Sequence, residues 1–236
     1  MSCGGWDEAT DEPPSAMTCA WSFTPLGEAA LLAEARTDDH AAANRAALAA
    51  AAALAASPMP GLSAVVPAIA SLLVCFDPLV LSHATVAARL RTLLAAPSLD
   101  GPSAGRVVRI TVRYGGEDGP DLEEVAATLG MTPSDVVAAH TAQPLRVMMI
   151  GFAPGFPYLG PLPPSLQLPR RATPRTAVPP GSVAIAAGLS GIYPAQLPGG
   201  WHLIGRTALR LFDPYAEPPA LLAPGDLVQF VVARSP

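Results

Sequence analysis

Lysine is missing from this 236-residue chain, so all 14 of its basic residues are Arg. That absence excludes Schiff-base chemistry, a Walker-type phosphate loop and attachment of biotin, each of which needs an ε-amino group. Charge of any kind is sparse, at 14% of residues with a net of -5. A chain of that balance lacks the broad basic face that nucleic acid requires. Cysteine is scarce too. Cys3, Cys19 and Cys75 lie far apart and imply no disulfide framework, and Cys75 sits in an apolar run where a buried thiol is the ordinary reading. Together with the four His they show no metal-ligand spacing, so metal binding by the chain alone is not expected. The first residues, MSCGGWDEATDEPPS, lack the basic start and apolar core of a signal peptide. No charge occurs from Ala46 to Phe76, but Pro58, Pro60 and Pro67 cut that run into pieces shorter than the ~18 residues of a membrane span. A soluble, cytoplasmic protein is expected.

What is present divides into two parts. Residues 1–18 read as a disordered tail. The run CAWSFTPLGEAALLAEA predicts a strand, a turn and a second strand. Asp38 and Asp39 precede an Ala-rich segment from His40, where acids at the N-terminus suit the helix dipole. The run SAVVPAIASLLVCFDP reads as one strand or two collinear strands, and Ser82 caps a further helix with Val86, Leu90, Leu93 and Leu94 at helical spacing. Residues 19–96 are therefore expected to form a small α+β domain, and the Pro/Ser/Gly-rich residues 97–105 a linker. In residues 106–236, RVVRITVRY alternates as a half-buried strand. Short helices open at Asp121 and at Thr132, with Pro133 tolerated in the first turn of the second. LRVMMIGF, SVAIAA, WHLIG, ALRLF and DLVQFVVA read as short strands between Pro/Gly turns, which favours a barrel or sandwich over a parallel sheet.

The most informative stretch runs from Gly151 to Pro214. Eleven of the fifty residues up to Gly200 are Pro and eight are Gly, a composition of rigid, irregular loops of the kind that carry sites. Between Asp135 and Asp213 no Asp or Glu occurs, while Arg146, Arg170, Arg171, Arg175, Arg206 and Arg210 do. Arg170, Arg171 and Arg175 fall within six residues on a Pro-bounded loop, and the planar guanidinium fork binds carboxylate or phosphate. A solvated basic loop or an ion-paired edge toward another chain is the alternative. Arg206 is grouped with them as a candidate ligand for a small anionic molecule. Phe152, Phe156 and Tyr158 could stack on a flat substrate or anchor the loop. Tyr193 and Trp201 flank Gly199 and Gly200, which either let a backbone N–H approach an oxyanion or make a tight turn. His140 and His202 are the candidate acid/base groups of this region. Ser182 and Ser190 lie outside any nucleophile elbow. With no credible nucleophile, the isolated chain is expected to be inactive.

The ordered motifs GGEDGPDLEEVA (Gly115 to Ala126), His140, GFAPGFPYLG, PRRATPR, VPPGSVAIA, GIYP, PGGW and LIGRT resemble the allophanate hydrolase subunit 1, or carboxyltransferase subdomain, family. PGLSAVVPAIASLLVCFDP extends the resemblance across residues 21–233. The sequence departs from that pattern at Ile69, at Asp118, at Leu189 and Ser190 in place of a Gln-Thr pair, and at Leu197 in place of Ser. The resemblance implies an N-terminal α+β domain followed by a C-terminal cyclophilin-like β-barrel. It implies a chain that works beside a homologous C-type subunit and a third, A-type subunit. The leading expectation is the B component of an ATP-dependent 5-oxoprolinase, which opens 5-oxo-L-proline to glutamate. ATP and Mg would be shared with or held by a partner. A kinase inhibitor like KipI, or half of a urea-type carboxyltransferase, is the alternative. His140 matches the family's helix-end histidine and ranks, with Tyr193, as a catalytic candidate.

Overall fold

The computed structural model describes residues 20–95 and 105–233. The tail expected over 1–18, and residues 97–104 of the expected linker, lie outside them.

In the N-terminal part, Asp39 accepts the Ala42 N–H at 2.9 Å and so starts α1 (His40–Ala56). Its Ala-rich face, with Ala43, Ala47, Ala50 and Leu54, is buried. Ser82 caps α2 (His83–Leu94) through the Thr85 N–H in the same way, and satisfying such an orphan donor is worth about 1 kcal/mol. Both helices pack on a four-stranded antiparallel sheet made of β1 (Ala20–Pro25), β2 (Ala30–Arg36), β3 (Leu62–Pro67) and β4 (Ser71–Phe76), in the order β1-β2-β4-β3. The alternation of β4 points Leu72, Val74 and Phe76 into this core beside Leu31 and Leu90. The run SAVVPAIASLLVCFDP is thus neither one strand nor two collinear ones. It folds back as a hairpin in which Val65 faces Val74, because Pro67 has no N–H to continue a ladder and Ala68 N donates to Ser71 O at 2.8 Å across the turn.

The C-terminal part is a closed seven-stranded barrel. Its strands are β5 (Val107–Tyr114), β6 (Leu145–Ile150), β7 (Pro157–Gly160), β9 (Ser182–Ala186), β10 (Leu189–Ile192), β12 (His202–Arg206) and β13 (Leu227–Val232). The order is β10-β7-β6-β13-β5-β12-β9, and β9 pairs back onto β10. The expected barrel is present, with one parallel pair, β5 against β13. Two further strands, β8 (Arg175–Val178) and β11 (Leu197–Gly199), form a separate antiparallel ribbon. ALRLF does not form the strand expected of it; it contributes a single bridge from Phe212 to Ala220. Conversely β7, β8, β10 and β11 all arise from the stretch expected to be loops, since its Pro and Gly fall mostly at strand ends.

Strand β9 explains the layering. It is buried on both faces: Val183 and Ile185 enter the barrel core, while Ala184 and Ala186 face a second cluster with Val178, Phe156, Tyr193 and Trp201. The helices α3 (Leu122–Leu129) and α4 (Pro133–Thr141) close over the barrel core with Leu122, Val125, Ala126 and Val136. A reciprocal capping box between Thr132 and Asp135 starts α4. The two parts of the molecule meet at Asn44, which is 1% exposed and donates to both Ala68 O (2.9 Å) and Met148 O (2.8 Å). Among the described residues no helix is long and apolar enough to cross a membrane.

Candidate functional site

Asp121 sits at the head of α3, yet it does not cap its own helix. Its carboxylate, 5% exposed, points inward instead and accepts the Leu203 N–H of β12 at 2.7 Å. It also accepts both Nη1 (2.9 Å) and Nη2 (2.7 Å) of Arg175 and Nη1 of Arg171 (3.1 Å). Glu124, one turn along α3, accepts a second bond from Arg171 at 3.2 Å. Burial alone would raise the Asp121 carboxyl. The Arg175 fork, the Leu203 N–H and the two guanidinium charges together outweigh that and hold it below the usual carboxylate range.

This corrects the sequence reading of the basic loop. With no acid near them in the chain, Arg171 and Arg175 read as groups awaiting an anion. Folding supplies one from about fifty residues upstream, by docking α3 on β12. Both guanidinium groups are thereby engaged as structural ties, each about a quarter exposed. Arg170 differs: it is exposed, and its charge acts on the hydroxyls of Tyr158 and Tyr193.

Beneath this surface lies an aromatic cluster. Phe156, 2% exposed, is its hub and meets Phe152, Tyr158, Tyr193 and Trp201 edge-on at centroid distances of 5.1–5.9 Å. Phe156 and Trp201 are therefore anchors of the loop and not faces for a ligand to stack on. Tyr158 is half-buried and Phe152 is 58% exposed, so these two do reach the surface. Tyr193 is 1% exposed. Its phenol is pushed up by burial, and it lies directly under Gly199, where any Cβ would collide with the hydroxyl. That contact is why Gly199 is glycine. Gly200 accepts the Arg171 N–H at 2.8 Å through its carbonyl and so closes the loop onto β11. His202 rests its Nε2 on Pro169 O at 3.0 Å, while its Nδ1 and the Nε of Arg171 are buried without a partner among the described residues.

His140 is not beside these groups. It occupies the barrel core, 1% exposed, stacked 4.4 Å from Phe230, with Nδ1 2.8 Å from Tyr114 Oη and Nε2 2.9 Å from Ser190 Oγ. Burial pushes its pKa down to about 3. A neutral imidazole enclosed in this way holds α4 to the barrel. Both catalytic candidates, His140 and Tyr193, are thus buried, each 1% exposed. Arg206 is likewise separated from the basic loop, because it lines a cavity with Arg109 and Arg113. The surface that does assemble comprises Arg170, Tyr158, Gly199, Gly200 and the outer edges of Arg171 and Arg175, over a floor of Asp121, Phe156, Tyr193 and Trp201. Among the described residues no three His, Cys, Asp or Glu side chains are grouped to hold a metal ion. Asp121, missed as a member of this site, carried one readable signal: a carboxylate after Gly-Pro at a helix start, in a chain whose cluster of arginines has no acid near it in sequence.

The sequence pattern of the family described as carboxyltransferase domain, subdomain C and D, matches residues 21–222. The B-type subunit of 5-oxoprolinase from Bacillus subtilis (strain 168) is 40% identical over an alignment of 225 residues that covers 91% of this chain and 94% of that protein. Among solved structures, the crystal structure of TTHA0988 superposes with a TM-score of 0.76 at 42% identity; the match covers 88% of this chain and 40% of that one. The Kluyveromyces lactis urea carboxylase shares the fold, with a TM-score of 0.70 at 18% identity over 91% of this chain and 22% of its own.

Proposed function

The chain belongs to the family of carboxyltransferase domains, subdomains C and D, and from that premise we propose that it is the B-type component of an ATP-dependent 5-oxoprolinase. The observation that carries this reading is the 40% identity that runs almost end to end with the B-type chain of a bacterial 5-oxoprolinase. In the assembled enzyme the lactam of 5-oxo-L-proline is opened to glutamate at the expense of ATP. ATP and Mg are assigned to an interface with, or wholly to, the C-type or A-type partner, because this chain lacks the Lys of a Walker-type phosphate loop.

The part assigned to this chain is binding and orientation. Asp121 fixes the loop by drawing Arg171 and Arg175 down onto α3, and the aromatic floor keeps it rigid. Arg170 is left as the exposed cation whose fork takes the carboxylate of 5-oxoproline, with the Tyr158 hydroxyl beside it. A prearranged cation of this kind lowers the entropic cost of holding a small substrate. The acid and base groups come from a partner, since His140 and Tyr193 are sealed beneath the surface and the Nε2 of His202 is taken up by Pro169 O.

In a complex reconstituted with A-type and C-type partners, Arg170→Gln should raise the KM for 5-oxoproline about tenfold or more while changing kcat less, the pattern of a lost ground-state contact. Steady-state kinetics of glutamate release measure it. An unchanged KM would remove Arg170 from the binding site.

A further inference from the structure

The outer wall of the barrel at β5 and β12 carries a second cationic feature that the oxoprolinase reading does not use. Because β5 turns Ile110 and Val112 into the core, Arg109, Thr111 and Arg113 project together on its outer face. The register then sets Arg206 of β12 directly opposite Arg113. With Thr207, Ala208, Leu209 and Ala233 these side chains line a cavity of about 290 Å³, at the small end of the range for sites that hold small molecules.

Three guanidinium groups and two threonine hydroxyls face this space, and its lining contains no carboxylate. Asp118 approaches from the side and accepts from Arg113, through Nε at 2.6 Å and Nη2 at 3.3 Å, and the Arg206 charge also acts on it. Three cations against one anion leave an excess of two positive charges. Like charges directly across a ladder are unfavourable, and an anionic occupant would relieve that cost. The local backbone is also shaped to hold Arg206 there. The pairing of β12 with β9 shifts register between Leu203 and Gly205, and such irregularities re-aim side chains beside sites. Gly205 permits the close approach: a Cβ there would stand 2.6 Å from Val112 Cγ1 and 2.8 Å from Arg113 O. Arg206 then donates from Nε to Pro180 O at 3.1 Å, which fixes the plane of its head while Nη1 and Nη2 have no hydrogen bond among the described residues.

We propose that this cavity is a binding site for a small polyvalent oxyanion of the phosphoryl type, separate from the Arg170 surface. Several planar forks with flanking hydroxyl donors suit a group that presents oxygens in three directions, and the excess charge matches a dianion. The inference stands apart from the oxoprolinase reading, because it concerns binding by this chain alone.

Isothermal titration of the full chain with sodium pyrophosphate, and in parallel with citrate, tests it. Saturable one-to-one binding of pyrophosphate is expected, tighter than that of citrate and weakening as salt is added. Arg109→Gln/Arg206→Gln should reduce the pyrophosphate affinity about tenfold or more and leave the urea midpoint in place. No saturable binding up to ~10 mM, or a double variant that binds as tightly as the parent, would overturn the site. Tighter binding of citrate would overturn its assignment to phosphoryl groups.

Discussion

Asp121→Ala should destabilise the protein by about 3–5 kcal/mol, the range for removing one partner of a buried ion pair. Of the ~5–15 kcal/mol that holds an ordinary domain together, that is a large share. Three separate groups lose their partner at once. The Leu203 N–H is left in the interior without an acceptor, and Arg171 and Arg175 keep partly buried charges whose counter-ion is gone. Glu124 compensates little, being an exposed partner of Arg171 only. The pairing also has a testable internal structure. In a double-mutant cycle with Arg175→Leu, the second substitution should cost much less in the Asp121→Ala background than in the parent. Urea unfolding of the four proteins measures the cycle. A loss below about 1 kcal/mol for Asp121→Ala, or strict additivity, would mean that the basic loop is not held in this way.

Acid should weaken the fold well above the pH at which its carboxylates titrate, and His140 is the reason. Its pKa falls from an ordinary 6.5 to about 3 because the folded core excludes the charged form. An unfolded chain takes up the proton near pH 6.5, whereas the folded protein cannot until about pH 3. The contribution is therefore fully present above pH 6.5. It is lost progressively as the pH falls toward 3, by about 1.4 kcal/mol per pH unit. Everything that faces the ring is neutral in this range. Tyr114 from β5 has its own pKa raised by burial, Ser190 from β10 offers a hydroxyl, and Phe230 from β13 offers a π face. None can stabilise an imidazolium by charge. Between about pH 6.5 and pH 4.5 the parent should lose about 2–3 kcal/mol more than His140→Gln, read from urea midpoints at each pH. Parallel curves for the two proteins would show that His140 titrates freely.

How much of this was legible in the sequence depends on the distance over which each feature is decided. The caps at Asp39, Ser82 and Thr132 are local chemistry, and the alternation of RVVRITVRY is a period of two; all were readable and all are present. The hairpin at Pro67 was not, because a strand pattern gives direction only relative to its neighbours. The short strands β7, β8, β10 and β11 were hidden for a related reason: barrel closure and the ribbon, not propensity, make three or four residues extended. Charge counted along the chain misled most. Arg175 and Asp121 are 54 positions apart and meet with hydrogen bonds of 2.7 and 2.9 Å. The burial of His140 did leave a trace, since it follows Val136 by four residues and shares the buried face of α4. In the Pro-Gly-Gly-Trp turn the need for glycine was legible, but not that Gly199 accommodates the Tyr193 ring below it.

In the proposed enzyme this chain contributes a rigid, ligand-facing half of a site whose chemistry is completed by other subunits. An omission series with the purified chain and its A-type and C-type partners tests that most directly, with ATP-dependent glutamate formation from 5-oxoproline as the readout. Glutamate is expected only when this chain and both partners are present, and none from this chain alone. A full mixture that forms no glutamate, or a mixture lacking this chain that forms it at the full rate, would contradict the claim.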